Sequence, residues 1–258
     1  MDDRIAVAEH AARAAGALLL ERFGDRGALH VSSKSTETDL VSDADHAAER
    51  CIRAILAEHA PEDGILGEEG DDVASRSGRL WIVDPLDGTV NFLFGIPHWC
   101  VSVACDDEVG VIYDPLRDEL FAGARGRPTT LDAVPLAGGT PDRLATALVA
   151  TGFGYDAAQR GAQGELAAAL LPRCRDIRRA GSAALDLAWA AAGRVDAFYE
   201  HGVQRWDYAA GVVLCAGAGL EVRPLAARGL LPAGIVAAPP VIADELSALV
   251  DAAPVSPG

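Results

Sequence analysis

Residues 81–89 read Trp-Ile-Val-Asp-Pro-Leu-Asp-Gly-Thr, and this stretch decides how the rest of the chain is interpreted. Its apolar first part is typical of a buried strand. Two carboxylates, Asp84 and Asp87, follow directly, with a proline that fixes the turn between them. The glycine and threonine then begin a short helix. Because α/β proteins place ligands at the ends of strands, the stretch predicts a mixed α/β fold with a binding site here.

The oxygen atoms of this stretch suit a divalent cation. Two carboxylates with the backbone carbonyl of Leu86 between them offer the hard ligands that Mg²⁺ takes. The helix start just beyond them presents N–H groups to an anion. The same residues could also form an Asp-Pro turn in which Asp87 caps the helix, so further features are needed to decide between the two interpretations.

Two more acidic segments supply such features. Residues 65–69, Ile-Leu-Gly-Glu-Glu, repeat the arrangement of an apolar run followed by paired carboxylates. Residues 203–211 place Asp207 at the start of a helix rich in alanine and glycine. Taken singly, the first could be a solvated glutamate pair and the second a helix cap. Three acidic sites, all at strand ends or helix starts, are harder to explain by these structural interpretations and favour a functional one.

The first half of the chain changes from helices to strands. An amphipathic helix is predicted at 4–23, and a second helix from Ser42 or Asp43 to about residue 59. The polar stretch 32–42 between them is predicted to be a mobile loop. Residues 100–124 are predicted to form an antiparallel set of strands.

The second half alternates between strands and helices. Strands are predicted at 146–150, 175–179, 196–200 and near 220 and 235, and helices at 157–171, 182–192, 206–216 and 240–252. We therefore predict an N-terminal α+β half, residues 1–140, with the metal-binding motifs, and a C-terminal α/β half, residues 141–258, with the last metal ligand and the substrate-side residues. The arginines at 173, 175, 178 and 179 could bind an anion or another subunit, but solvated arginines along strand 175–179 are the favoured interpretation. His98 is expected to be a packed or surface histidine rather than a base.

Charge and composition exclude several classes of protein. Thirty-eight acidic residues against 22 basic ones give a net charge of −16, which repels nucleic acid and anionic membranes. The five scattered cysteines include no Cys-x-x-Cys pair, so neither a zinc ribbon nor a disulfide framework is expected. The N-terminus is acidic where a signal peptide would be basic. We therefore expect a cytoplasmic protein without nucleic-acid or membrane partners.

The three acidic segments together resemble those of a known family. Gly-Glu-Glu at 67–69, Asp-Pro-Leu-Asp-Gly-Thr-Val-Asn-Phe at 84–92 and Trp-Asp-Tyr-Ala-Ala-Gly at 206–211 are similar, in this order, to motifs of the inositol monophosphatase family. The resemblance runs over nearly the whole chain and is strongest to bacterial members of the actinobacterial type. It implies a layered αβαβα sandwich of the inositol monophosphatase and fructose-1,6-bisphosphatase type.

The resemblance also implies a set of ligands for two to three Mg²⁺ ions. Glu68, Asp84 and the carbonyl of Leu86 would hold the first ion, which activates the water. Asp84, Asp87 and Asp207 would hold the second ion, at the leaving oxygen. A third, weaker ion would lie near Glu68.

Further residues are implied to contact the water or the substrate. Thr89, hydrogen-bonded to Asp45, would act with Glu68 in positioning the attacking water. The substrate would contact Asp87, Gly88, Thr89, Gly181, Ser182, Ala183, Glu200 and Asp207. Lys34 would lie on the loop that closes over the metals.

The activity implied by the resemblance is a Mg²⁺-dependent, Li⁺-sensitive hydrolysis of a phosphate monoester by metal-activated water, carried out by a homodimer. The first candidate substrate is myo-inositol monophosphate. Such hydrolysis needs an oriented water and a cation at the departing oxygen, and the metals would convert an acidic site into one that attracts phosphate. Histidinol phosphate, fructose 1,6-bisphosphate and 3′-phosphonucleotides are alternative substrates, since Gln204 stands where animal members carry His. A regulatory binding protein in transcription or ribosomal RNA maturation is the alternative from another class.

Overall fold

The computed structural model describes residues 2–25, 30–34, 36 and 40–252. Its helices are α1 (Asp2–Gly24), α2 (Asp43–His59), α3 (Thr89–Phe94), α4 (Ala157–Leu170), α5 (Ala183–Ala191), α6 (Arg205–Gly217) and α7 (Pro240–Ala252). Its strands are β1 (Val31–Ser33), β2 (Leu40–Ser42), β3 (Gly64–Gly67), β4 (Leu80–Asp87), β5 (Cys100–Cys105), β6 (Val109–Asp114), β7 (Glu119–Ala124), β8 (Thr130–Leu131), β9 (Val134–Pro135), β10 (Leu148–Thr151), β11 (Asp176–Arg178), β12 (Ala197–His201), β13 (Glu221–Leu225) and β14 (Gly234–Ala238). Short 3-10 turns lie at Leu144–Thr146 and Leu171–Arg173.

Side-chain caps fix the starts of the helices that border the site. Ser42 caps α2: its Oγ accepts the N–H of Ala44 at 3.2 Å, and Oδ2 of Asp45 accepts the N–H of Ser42 at 2.9 Å. Ser182 caps α5 by accepting the N–H of Leu185 at 3.3 Å. The predicted start of the second helix is therefore confirmed at Ser42.

Strands β3 to β9 form a seven-stranded sheet in chain order. β3 and β4 are parallel, and every later pair in this sheet is antiparallel. All six residues of β5 and all six of β6 are buried. Because both faces of these strands are covered, their sequences are almost continuously apolar instead of alternating.

Strands β10 to β14 form a second sheet of five strands in the order β11-β10-β12-β14-β13. β10 pairs in parallel with both β11 and β12, while β14 pairs antiparallel with β12 and β13. The predicted alternation of strands and helices in this half is confirmed. The boundary at residue 140 stays a prediction.

Three apolar clusters stack the elements into five layers. Helices α1 and α2 pack on one face of the seven-stranded sheet, α5 and α6 fill the space between the two sheets, and α4 and α7 cover the far face of the five-stranded sheet. Side chains of β4 divide accordingly: Trp81 and Val83 face α1 and α2, whereas Ile82 faces α5 and α6. The predicted αβαβα sandwich is confirmed.

Two local predictions were wrong. Part of the stretch 32–42 is paired, since Val31 lies opposite Ser42 and Ser33 opposite Leu40 in an antiparallel ribbon. Residues 35 and 37–39, the middle of that predicted loop, lie outside the described residues. Strand β4 ends in its two carboxylates as predicted, but the turn expected between them is absent: the strand continues to Asp87, with a register shift between Asp84 and Asp87 against β5. The short strands β8 and β9 were not predicted at all.

Candidate active site

A cavity of about 400 Å³ opens where the two sheets meet through α5 and α6. One wall comes from the ends of β3 and β4 and the start of α3, and the opposite wall from β12 and the starts of α5 and α6. Every site residue named from the sequence lines this cavity except Asp45, which lies behind Thr89. The volume is in the range of small-molecule sites.

The irregular end of β4 directs both of its carboxylates into the site. Asp84 is 1% exposed, and its Oδ1 accepts the N–H of Leu86 at 3.0 Å. Asp87 reaches across to the other wall, where its Oδ2 accepts the Ser182 hydroxyl at 2.7 Å and the Ala184 N–H at 2.6 Å. Asp87 therefore caps the start of α5 and not that of α3, the helix that follows it in sequence. The start of α3 has no side-chain cap.

Asp207 faces these carboxylates from the first turn of α6. Its Oδ2 accepts the N–H of Gln204 at 2.6 Å, so the side chain closes a capping box as well as lining the cavity. Burial raises the pKa of Asp207 well above its ordinary value, and the negative charges of Asp87 and Glu68 raise it further. The cap and the site are thus two uses of one carboxylate.

Burial raises the pKa of every carboxylate in this set. Burial, followed by the charges of Glu68, Asp87 and Asp207, raises the pKa of Asp84 well above its ordinary value. Burial raises the pKa of Asp87 to about 6, against the opposing hydrogen bonds from Ser182 and Ala184. Burial likewise raises the pKa of Glu68, although the charge of Lys34 opposes the shift. Such shifts indicate buried carboxylates that are short of positive charge.

Lys34 supplies one positive charge at the mouth of the site. Its Nζ donates to Glu68 Oε1 at 2.8 Å and to Glu69 Oε1. Burial opposes the ammonium charge, but Glu68 and Glu69 raise the pKa of Lys34 above its ordinary value overall. The glutamate pair is therefore not solvated, since the Glu68 side chain is 22% exposed and that of Glu69 only 5%.

Thr89 connects the cavity to helix α2. Its Oγ1 donates to Asp45 Oδ1 at 2.9 Å and lies 3.0 Å from the carbonyl oxygen of Leu86. Asp45 is fully buried and also accepts the Ser42 hydroxyl at 2.6 Å. With its proton engaged by acceptors, the Thr89 oxygen presents lone pairs to the cavity.

Glu200 forms the opposite end of the cavity. It lies on β12 against Gly152, where a Cβ would collide with its carboxylate. Burial raises the pKa of Glu200 to about 8, and the charges of Asp186 and Asp87 add to the shift. Gly181 and Ala183 complete this end, and Gly181 has a φ of +100° that a side chain would rarely adopt.

Arg179 and Asp186 are charged residues of the cavity that were not assigned to the site from the sequence. Arg179 is exposed, in line with the predicted solvated arginines, yet it lines the cavity with its guanidinium 5.9 Å from the Phe153 ring centroid. Asp186 on α5 is buried, with its Oδ1 3.5 Å from Nε2 of His98. His98 itself packs edge-on to Trp189, as its predicted structural role requires. The signal that could have found Asp186 is its place in the segment Gly-Ser-Ala-Ala-Leu-Asp at 181–186, which begins with three predicted substrate contacts.

The donor set fits a divalent cation. Asp84, Asp87 and Asp207 each use one oxygen to accept protein N–H or O–H groups, and the chemistry is carboxylate oxygen throughout. Within the described ranges, no three His, Cys, Asp or Glu side chains already stand as a compact metal cluster. The raised pKa values show that added positive charge would stabilise these carboxylates.

Comparison with known proteins identifies the family. A sequence model described as the inositol monophosphatase family matches residues 1–253. The chain belongs to the inositol monophosphatase family. An inositol-1-monophosphatase of Mycobacterium bovis is 44% identical over 247 residues, covering 89% of this chain and 83% of that protein. A Nus factor SuhB of Salmonella typhimurium is 40% identical over 225 residues, covering 85% and 84%.

Solved structures agree with this family assignment. The extragenic suppressor protein suhB of Bartonella henselae superposes with a TM-score of 0.88 at 34% identity, covering 95% of this chain and 97% of that one. The inositol monophosphatase of Anabaena gives a TM-score of 0.83 at 33% identity, covering 97% and 96%. Membership in the inositol monophosphatase family supports a hydrolase that acts on a small phosphorylated substrate and uses metal. Across the parts of the chain that are described, no helix is both long and apolar enough to cross a membrane.

Proposed function

We propose that this chain is a Mg²⁺-dependent phosphatase that hydrolyses the phosphate monoester of a small polyol, with myo-inositol monophosphate as the first candidate substrate. The observation that carries the proposal is the convergence of Glu68, Asp84, Asp87 and Asp207 on one cavity. Burial raises the pKa of all four, and the charges of the others raise those of Asp84 and Asp207 further. The family match and the mycobacterial relative's name support the substrate class.

We assign the ligands as follows. Glu68, Asp84 and the Leu86 carbonyl would hold one Mg²⁺, and Asp84, Asp87 and Asp207 a second, with a weaker third position near Glu68. When bound, the ions would lower the pKa of a water molecule and stabilise negative charge on the phosphate and on the departing oxygen. The ligands lie on or directly after β3, β4 and α6, so residues that are distant in sequence contribute to the same site.

The protein's own groups would orient the reactants. Thr89 donates its proton to Asp45, so its oxygen can accept a hydrogen bond from the attacking water and fix that water's direction. The backbone N–H groups of Gly88 and Thr89 would bind phosphate oxygens. Glu200 lies on the opposite side of the cavity, where its carboxyl group would hydrogen-bond to a hydroxyl of the alcohol.

Phosphate release from a panel of monoesters tests the proposal. Inositol 1-phosphate, histidinol phosphate, fructose 1,6-bisphosphate and a 3′-phosphonucleotide are compared with Mg²⁺, with Mg²⁺ plus Li⁺, and with a chelator. We expect turnover that requires Mg²⁺, falls with Li⁺ and is fastest on inositol 1-phosphate. A preference for histidinol phosphate would overturn the inositol assignment, and no turnover on any ester would overturn the phosphatase itself.

A regulatory binding role is the second proposal, favoured by the 40% identity to proteins named Nus factor SuhB. The net charge of −16 makes a protein partner more suitable than a direct RNA contact. A chain without turnover that co-purifies with transcription proteins would support this role over catalysis.

A further inference from the structure

A carboxylate outside the cavity holds the backbone that carries Glu68. Glu49 lies on α2 and is 2% exposed. Its Oε2 accepts the N–H of Glu69 at 2.7 Å, and its Oε1 accepts the N–H of Gly70 at 2.8 Å. Arg53, one helical turn later, donates from Nε to Oε1 at 2.6 Å. All three donors thus converge on one buried charge.

The two glycines that flank Glu68 and Glu69 allow this close approach. A Cβ on Gly67 would lie 2.5 Å from Glu49 Oε1, and a Cβ on Gly70 would lie 2.7 Å from the same atom. Neither glycine has a left-handed φ. Both are therefore needed for the space that Glu49 occupies, and not for an unusual backbone conformation.

Helix α2 uses one face for two separate attachments. Asp45 and Glu49 are four residues apart, so their side chains lie next to each other on that face. Asp45 holds Thr89 at the start of α3, and Glu49 holds the turn after β3. One helix therefore sets the relative position of the groups that follow two different strands, β3 and β4.

We propose that Glu49 is a positioning residue that keeps Glu68 in the orientation in which it binds the divalent cation. The inference rests on the proposed function, since Glu68 is a ligand only if the site takes a cation. A glutamine at position 49 would have only one amide oxygen to accept the two backbone N–H groups. Its NH₂ group would face one of these N–H donors, which would then lack an acceptor. The turn that carries Glu68 would then lose its fixed position.

Mn²⁺ binding tests the proposal without depending on turnover. Mn²⁺ is titrated into the metal-free full-length chain in the absence of substrate, and electron paramagnetic resonance measures the concentration of free Mn²⁺. We expect Glu49→Gln to raise the Kd for Mn²⁺ at least tenfold, as losing a partner of a ligand does. The matched control is Glu58→Gln, an exposed glutamate on the same helix, which should keep the Kd within twofold. The KM for phosphate ester at saturating Mg²⁺ should also stay within about twofold in Glu49→Gln.

Three outcomes separate the possibilities. A folded Glu49→Gln chain that binds Mn²⁺ as tightly as the wild type overturns the inference, even if its melting temperature is lower. If Glu49→Gln does not fold, Gly70→Ala decides, with Gly161→Ala on α4 as a control whose Cβ meets nothing. Gly70→Ala should weaken Mn²⁺ binding several-fold, and an unchanged Kd contradicts the inference. A wild-type chain that binds no Mn²⁺ refutes the proposed function, and this inference with it.

Discussion

Replacing Asp87 with asparagine measures how strongly the metal-free site opposes folding. The folded pKa of Asp87 is about 6 against an ordinary value of 3.8, and burial is the main cause. Between these two pKa values Asp87 is therefore protonated more fully in the folded chain than in the unfolded chain. Its contribution to the free energy of unfolding falls as the pH rises through this range. A shift of about 2 units corresponds to about 3 kcal/mol. Asparagine keeps the shape and an acceptor oxygen for Ser182 and Ala184 but carries no charge.

The assay is urea unfolding of the metal-free chain at several pH values. We expect Asp87→Asn to raise the free energy of unfolding by up to about 3 kcal/mol at pH 8, by about half as much at pH 5, and by little at pH 4. Saturating Mg²⁺ should stabilise the wild type much more than the variant. Turnover should fall at least ~100-fold, because a ligand is lost.

The control is Asp118→Asn, which removes a surface carboxylate that accepts from Arg13 and Tyr113. These hydrogen bonds lower the pKa of Asp118, so its replacement should give no gain in stability at pH 8 and no change in turnover. An Asp87→Asn chain that is less stable than the wild type at pH 8 without metal would refute the electrostatic reasoning. Wild-type turnover in that variant would show that Asp87 is not a ligand.

Three further predictions concern Thr89, Glu200 and the pH dependence of stability. Thr89→Val removes the hydroxyl that donates to Asp45 at 2.9 Å while keeping the side-chain volume. Steady-state kinetics should show turnover lowered by about 10²-fold or more, and wild-type turnover would contradict the role of Thr89. Glu200→Gln should raise the KM for the polyol phosphate while Mn²⁺ affinity stays within twofold; an unchanged KM would remove Glu200 from the alcohol site. Because the folded pKa of Glu200, about 8, lies above its ordinary 4.5, the melting temperature of the metal-free chain should fall between pH 5 and pH 8 in calorimetry, and a rise would contradict the shift.

Three carboxylates of the cavity were predictable because each follows a local signal. An apolar run ending in acid marks Glu68 and Asp84, and a helix start marks Asp207. Their meeting in one cavity was implied by the family resemblance. The resemblance, and not the spacing, supplied Asp45 and Glu200.

The contributions of Glu49 and Asp186 could not be read from the sequence. Each is a single acidic residue in a helix, and an acidic residue in a helix is usually a solvated one. Only tertiary contacts reverse that expectation: Glu49 meets a turn 20 residues away, and Asp186 lies 3.5 Å from His98. The β1–β2 ribbon was missed for a similar reason, since three-residue strands carry too little pattern.

The site spans two sheets that are synthesised one after the other, and this has a consequence for how the chain matures. The first sheet is made of residues 64–135, which are synthesised before the helices that begin at Ala183 and Arg205. Glu68, Asp84 and Asp87 therefore belong to the early part of the chain, and Asp207 joins them only when α6 packs onto that sheet. Because its charge is added to three carboxylates at that step, a divalent cation held by the site would favour the docking of α6 well before any substrate arrives.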